Sequence, residues 1–209
     1  MAPLQVSYGN IMDSINSQLS SLVHQEGPRI NRFQLPPAQA CGEGMSSVDV
    51  LILGASGYGG GELLRWLSNH PKVKTLRGTA RSHAGKPFHA QHPNLRGLVE
   101  GTFEAVPDWA ALAQSETPVL FAALPHGEFA KQWLGFQEEW DRLELTDKLT
   151  IIDLSADFRL DPTWTYGLVD WQPERMRGAR RIANPGCFAT APTTCWGVSC
   201  RWSIPTRVR

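Results

Sequence analysis

Apolar residues along this chain gather in short runs that end in glycine- and proline-marked turns, and amphipathic stretches fill the intervals between them. Val48 to Leu53 is one such run, of the length and kind buried on both faces of a parallel sheet. A glycine-rich turn follows from Gly54 to Gly60, and the pattern predicts a helix over Glu62 to Ser68 that stops at Asn69-His70-Pro71. Val73 to Leu76 predicts a second strand. Pro118 to Leu124 predicts another, ending at Pro125-His126-Gly127 and leading into a helix that carries Phe129, Trp133 and Phe136. Leu149 to Leu154 is a further strand, closing on Ser155-Ala156-Asp157. Strands and helices alternating in this way predict a doubly wound α/β fold with a parallel sheet, whose ligands collect beyond the carboxyl ends of the strands.

The flanks read differently. Residues 1–44 are rich in Ser, Gln, Asn, Pro and Gly and read as a low-order extension. Ile11, Ile15, Leu19 and Leu22 fall at helical spacing there, but one stripe without a partner does not make a stable helix. Met45-Ser46-Ser47 just before the first strand resembles a natural start. Over all 209 residues, 42% are hydrophobic and 19% charged, enough to bury an ordinary core. Twenty basic and twenty acidic residues cancel, so no basic field calls for nucleic acid or an anionic membrane, and the expected partner is a small molecule. No apolar run approaches the roughly 20 residues that span a bilayer, and no signal-peptide pattern opens the chain, so the expected location is the cytoplasm. Cys41, Cys187, Cys195 and Cys200 show no metal-ligand spacing and no disulfide framework, and no metal is expected.

Two stretches carry candidate chemistry. In Gly54-Ala55-Ser56-Gly57-Tyr58-Gly59-Gly60 the glycines Gly54, Gly57 and Gly60 occupy the first, fourth and seventh positions. Such a turn, placed between a strand and a helix, lets a pyrophosphate approach the helix N-terminus, where unpaired N–H groups stabilise its charge. Ser56 adds a donor, and Tyr58 and Gly59 belong to the same candidate cofactor site. A Rossmann-type site specific for NAD places an acid near the end of the second strand. Leu76-Arg77-Gly78-Thr79-Ala80-Arg81-Ser82 has none, and arginine with serine suits a 2′-phosphate, so the expected cofactor is NADP(H), with Arg81 and Ser82 as its phosphate contacts.

The second stretch is Ile182-Ala183-Asn184-Pro185-Gly186-Cys187-Phe188-Ala189-Thr190-Ala191. A Pro-Gly turn ahead of small residues predicts a helix starting near Cys187, whose free N–H groups favour thiolate over thiol. Most free cysteines are instead small buried hydrophobes, the alternative reading here.

These motifs, together with Gly61-Glu62-Leu63-Leu64-Arg65, Gly85-Lys86, Leu124-Pro125-His126-Gly127, Asp153-Leu154-Ser155-Ala156-Asp157-Phe158-Arg159-Leu160 and Tyr166-Gly167-Leu168, cover the chain from about Val48 to Ala191. Through them the chain resembles the aldehyde-forming acyl-phosphate reductases of the aspartate-semialdehyde dehydrogenase-like superfamily. The match is closest to the N-acetyl-gamma-glutamyl-phosphate reductase family of arginine biosynthesis. The resemblance implies NADPH-dependent reduction of that acyl phosphate to the semialdehyde, with phosphate release, through a thioester on Cys187. It implies an oxyanion held by N–H groups near Cys187 and by the Asn184 side chain. Arg159 is implied as an anchor for substrate carboxylate or phosphate, with an ion pair to Asp153 or Asp157 as its alternative. For His126 it implies a place near the nicotinamide, in a structural or cofactor-packing role. The family is expected to be homo-oligomeric.

The resemblance also implies an α+β catalytic domain after the cysteine, with a histidine base. All six histidines precede Cys187, and the chain ends about twenty residues beyond it. From Pro192 the text turns to clustered Trp, Cys and Arg without helical period, which reads as a truncated or frameshifted tail over 191–209 behind an NADP-binding domain over 45–190. Low stability and little turnover are the corresponding expectations. Two alternatives stand beside the main reading: a carrier-linked aminoadipyl-phosphate reductase of lysine biosynthesis, and a catalytically inactive NADP-binding remnant. Aspartate-semialdehyde dehydrogenase itself is a poorer match to Ser155-Ala156-Asp157-Phe158-Arg159.

Overall fold

Apolar alternation within β1 (Val48–Leu53) explains where the sheet sits. Val50 and Ile52 join one buried cluster and Leu51 and Leu53 another, as successive side chains of a central strand must. In the computed structural model of the chain, residues 47–168 and 173–191 are described. The extension over 1–44 and the tail from 192 lie outside them. The remaining strands are β2 (Val73–Thr79), β3 (Phe103–Glu104), β4 (Pro118–Ala122), β5 (Thr150–Asp153), β6 (Thr165–Tyr166) and β7 (Arg181–Ala183). They form one sheet in the order β3-β2-β1-β4-β5-β7-β6, and every pairing is parallel. This is the doubly wound, Rossmann-type arrangement. The chain leaves β1 to one side for β2 and β3 and returns on the other side for β4, so a crevice opens between the ends of β1 and β4.

Helices cover both faces. α1 (Tyr58–Leu67) follows β1, α2 (Phe88–Gln91) and α3 (Trp109–Ala113) flank β3, and α4 (Glu128–Arg142) follows β4. α4 presents Phe129, Trp133, Phe136 and Trp140 at helical spacing, and these rings pack with Trp109, Phe158 and Trp164. Phe158 stacks on Trp164 at 4.5 Å and 11°. The other face closes on Leu64, Phe88, Leu95, Val99 and Phe103. Among the described residues no helix is long and apolar enough to cross a membrane.

Several boundaries differ from those the sequence predicts. α1 begins at Tyr58 rather than Glu62, because Gly60 lets the helix start hard against the turn: a Cβ there would lie 2.5 Å from Ala55 Cα. β2 continues past Leu76 to Thr79, through an arginine and a glycine that interrupt the apolar run. Arg77 is accommodated because Glu104 on β3 accepts from its Nε at 2.6 Å and Asp108, the N-cap of α3, from its Nη2 at 2.9 Å. Gly78 lies where a Cβ would come within 2.7 Å of the Ala55 methyl. β3, β6 and β7 have two or three residues each, too few for a period to register.

Asp157 ties the end of β5 to the start of α4. Its carboxylate accepts from the N–H groups of Gly127, at 2.6 Å, and Ala130, at 3.0 Å, and so caps a helix whose own N-cap residue is a left-handed glycine without a side chain. Burial alone would raise the Asp157 carboxyl, but those two N–H groups and the Ser155 hydroxyl outweigh it and hold it below its ordinary value. A carboxyl lowered by folding stabilises the fold above its unfolded pKa of about 3.9, and that contribution is lost as pH falls through the lower folded value. Asp157→Ala is therefore expected to cost about 1 kcal/mol at pH 7 in urea unfolding, with the gap to the unsubstituted chain closing in strong acid. A gap independent of pH would show that the charge has no part in the cap.

Candidate functional site

Register places the site. Leu53 pairs with Thr79 on one side and Ala122 on the other, Ala122 with Asp153, Asp153 with Ala183, and Ala183 with Tyr166. One row of residues thus closes six strands, and everything just beyond it shares a single edge of the sheet.

Beyond β1, the chain turns through Gly54 at φ +75°, where a Cβ would sit 2.6 Å from the Ala123 carbonyl oxygen. Only glycine fits that conformation and that space. Ala55 N–H donates to Thr79 O at 2.9 Å and Gly57 N–H to Gly54 O at 3.1 Å, which carries the chain into α1. Gly57 is the N-cap and offers no side-chain acceptor, and no acidic residue stands in the first turn. The N–H groups there remain available to an anion. Gly57 and Gly59 have room for a methyl group, since a Cβ at either would find its nearest neighbour 3.5 or 3.6 Å away, so packing does not require glycine at these positions. They leave bare backbone where a ligand approaches.

A cavity of about 1000 Å³ opens over this turn. Gly54, Ser56, Gly57, Tyr58 and Gly59 line it from β1 and α1, Arg81 and Ser82 from the end of β2, and Leu124 and Pro125 from the end of β4. Its apolar side is Val106, Pro107, Trp109 and Phe136. Arg77 is committed to Glu104 and Asp108, whereas Arg81 is exposed at the rim with no ion pair among the described residues. Ser82 Oγ lies 2.9 Å from His83 Nδ1. The left-handed turn, the open helix start and the cavity's volume fit a dinucleotide.

Farther along the edge, the loops after β4 and β5 are stitched together. Ala156 N–H donates to His126 Nδ1 at 2.9 Å, so the neutral ring carries its proton on Nε2. His126 is exposed and thus serves first as a link between the two loops. Asp153 is fully buried, and burial pushes its carboxyl up, although the Ser155 N–H and hydroxyl both donate to it, at 2.9 and 2.8 Å.

The loop after β7 carries the thiol. Asn184 N–H donates to Asp153 O at 2.8 Å, and the Asn184 amide donates to Pro185 O at 3.0 Å. Arg159 forms no ion pair with Asp153 or Asp157 among the described residues. Its Nε donates to Asn184 O at 2.9 Å and its Nη2 to Leu154 O at 3.3 Å. Nη1 lies under Gly186, 2.9 Å from where a Cβ would stand, so glycine ahead of the cysteine leaves space for the guanidinium. Cys187 is exposed and free, at the start of a helical stretch over residues 187–191, in which Thr190 N–H and its hydroxyl each reach Gly186 O at 3.0 Å. Helix geometry gives the N–H groups of Cys187 and Phe188 no intrahelical acceptor.

The structure thus brings Gly54, Ser56, Gly57, Tyr58, Gly59, Arg81 and Ser82 around one cavity, and Arg159, Asn184 and Cys187 into a second group on the same edge. Three inter-strand spacings, about 14 Å, separate the end of β1 from the end of β7. No group of three or more metal-ligating side chains occurs among the described residues. No sequence signal marks His92, which reaches the glycine turn from the crossover between β2 and β3.

Comparison with known proteins agrees with this architecture. Residues 49–179 match the family model described as semialdehyde dehydrogenase, NAD binding domain. An N-acetyl-gamma-glutamyl-phosphate reductase of Salinispora arenicola is 42% identical over 69% of this chain and 44% of its own length. That of Methanothrix thermoacetophila is 41% identical over 70% and 44%. A putative LysW–L-2-aminoadipate 6-phosphate reductase of Thermomicrobium roseum is 42% identical over 68% and 42%. The chain therefore spans less than half the length of these relatives. Among solved structures, aspartate semialdehyde dehydrogenase II of Vibrio cholerae, complexed with ASA, superposes with a TM-score of 0.50 at 20% identity, over 74% of this chain and 46% of that one, and shares the fold. With its glycine turn, parallel sheet and matched span, this chain belongs to the semialdehyde dehydrogenase family and carries that family's NAD-binding domain.

Proposed function

We propose that the chain serves an NADPH-dependent reduction of N-acetyl-gamma-glutamyl phosphate to the semialdehyde, in arginine biosynthesis in the cytoplasm and as part of a homo-oligomer. The observation that carries this reading is the single row of strand ends, which sets a glycine-rich turn, an exposed arginine and an exposed cysteine along one edge. Relatives near 40% identity that bear the reductase name support this choice of substrate.

In this reading the Cys187 thiolate attacks the acyl carbonyl carbon. The S–C bond forms, the C–O bond to phosphate breaks, and phosphate leaves. N–H groups at the start of the 187–191 helix hold the oxyanion of the tetrahedral intermediate, with the Asn184 amide nearby. Arg159 steadies the loop through Asn184 O and Leu154 O and presents its Nη1 beside Gly186 to a substrate anion. NADPH, when bound, would supply the hydride that reduces the thioester to the aldehyde, and Cys187 would leave as the thiolate. Gly54, Ser56, Gly57, Tyr58 and Gly59, which line the cavity, would hold the pyrophosphate, and Arg81 and Ser82 would take the 2′-phosphate. A carrier-linked aminoadipyl phosphate is the second reading, favoured by the Thermomicrobium roseum relative, and offering both acyl phosphates side by side separates the two.

Two outcomes test the proposal. Arg81→Ala is expected to weaken NADPH binding about ten- to a hundredfold and leave NADH binding unchanged in calorimetric titrations. Equal losses for both cofactors would remove Arg81 from the 2′-phosphate. N-acetyl-gamma-glutamyl phosphate is expected to release phosphate and leave an acyl group on Cys187 by intact-mass analysis, and Cys187→Ser is expected to abolish both. Unchanged phosphate release in the variant would refute the thioester.

A further inference from the structure

We propose that His92 is a positioning residue for the cofactor-binding turn, clamping its peptide backbone from outside every motif that binds the dinucleotide. His92 Nε2 lies 2.8 Å from Ala55 O, across 37 residues of sequence. A carbonyl only accepts, so the ring donates from Nε2. The same ring fills the space beside Gly61, where a Cβ would meet Cε1 and Nδ1 at 2.6 Å. One side chain thus touches the turn at Ala55 and the helix at Gly61, on either side of Ser56, Gly57, Tyr58 and Gly59, which face the cavity.

The clamp is itself rigid. His92 N–H donates to Phe88 O at 3.0 Å and Leu95 N–H donates to His92 O at 2.9 Å, so its backbone is fixed between α2 and the following turn. Its ring meets Phe103 edge-on at 6.1 Å, and Phe103 packs on Phe88 at 5.0 Å. Phe88 and Phe103 are both buried. The partner, by contrast, is a glycine-rich stretch, which has more conformations to lose than any other kind of backbone. Ala55 C=O and Ser56 N–H share one planar trans peptide and point in opposite directions. Holding the carbonyl therefore fixes the direction of the Ser56 N–H, in a residue that lines the cavity. A hydrogen bond on one side of the peptide orients a donor on the other.

This inference rests on the dinucleotide reading above, and its test separates the two. NADPH binding to the full 209-residue chain is measured by titration calorimetry well below the melting temperature of each variant. His92→Phe keeps a ring against Gly61 and Phe103 but removes the donor, and His92→Gln restores a donor. The expected result is about five- to tenfold weaker NADPH binding for His92→Phe and recovery to within about twofold for His92→Gln. Wild-type affinity in His92→Phe, with only a lower melting temperature, would overturn the proposal and leave His92 a packing residue. Equal loss in both variants would also overturn it, because the donor would then be irrelevant. Failure of the unsubstituted chain to bind NADPH would overturn the dinucleotide reading, and the role of His92 with it.

Discussion

Parallel register is the constraint on which the rest of this structure depends. Because every pairing is parallel, each strand runs toward the same edge, and because Leu53, Thr79, Ala122, Asp153, Ala183 and Tyr166 fall in one row, the strands stop together. Residues far apart in sequence then emerge side by side. A slip of one residue in any pairing would turn each side chain of that strand to the opposite face and break one of the two cores. The apolar runs that bury both faces therefore also align the loops.

Short-range sterics and backbone hydrogen bonds then refine each loop. Gly54 and Gly60 are fixed by what a methyl group would strike, Ala123 O and the Ala55 backbone. Gly186 leaves room for a guanidinium. The polar side chains that shape the edge act mainly on backbone: Asp157 on Gly127 and Ala130, His126 on Ala156, Arg159 on Asn184 and Leu154, His92 on Ala55. Such bonds hold a loop in one conformation before a ligand arrives, and binding then costs less ordering entropy.

The strand-turn-helix unit at Val48 to Leu67 is legible in sequence because an uninterrupted apolar run meets glycines at fixed offsets. The end of β2 is not, since Arg77 and Gly78 break the apolar pattern and are accommodated by Glu104, Asp108 and Ala55, partners that only the fold brings near. Very short strands escape for want of a period. At the candidate site, the Pro-Gly turn announces a helix near Cys187, and the missing acid near Arg81 announces itself by composition. Arg159 is legible as a cation beside Asp153 and Asp157, but its partners are carbonyl groups that any residue supplies. His92 escapes for the same reason: at the turn and helix it holds, the acceptor is Ala55 O and the position it packs on is a glycine. Contacts to backbone leave no mark on the partner's identity.

Amide hydrogen exchange of the chain with and without NADPH tests the central claim most directly, because it reads the whole strand-end row at once. Residues 54–61, 79–82 and 122–126 are expected to slow together when NADPH binds, while residues 72–75 and 115–118 at the opposite edge stay unchanged. Protection absent from the carboxyl edge, or confined to the opposite one, would contradict the placement of the cofactor and the reading built upon it.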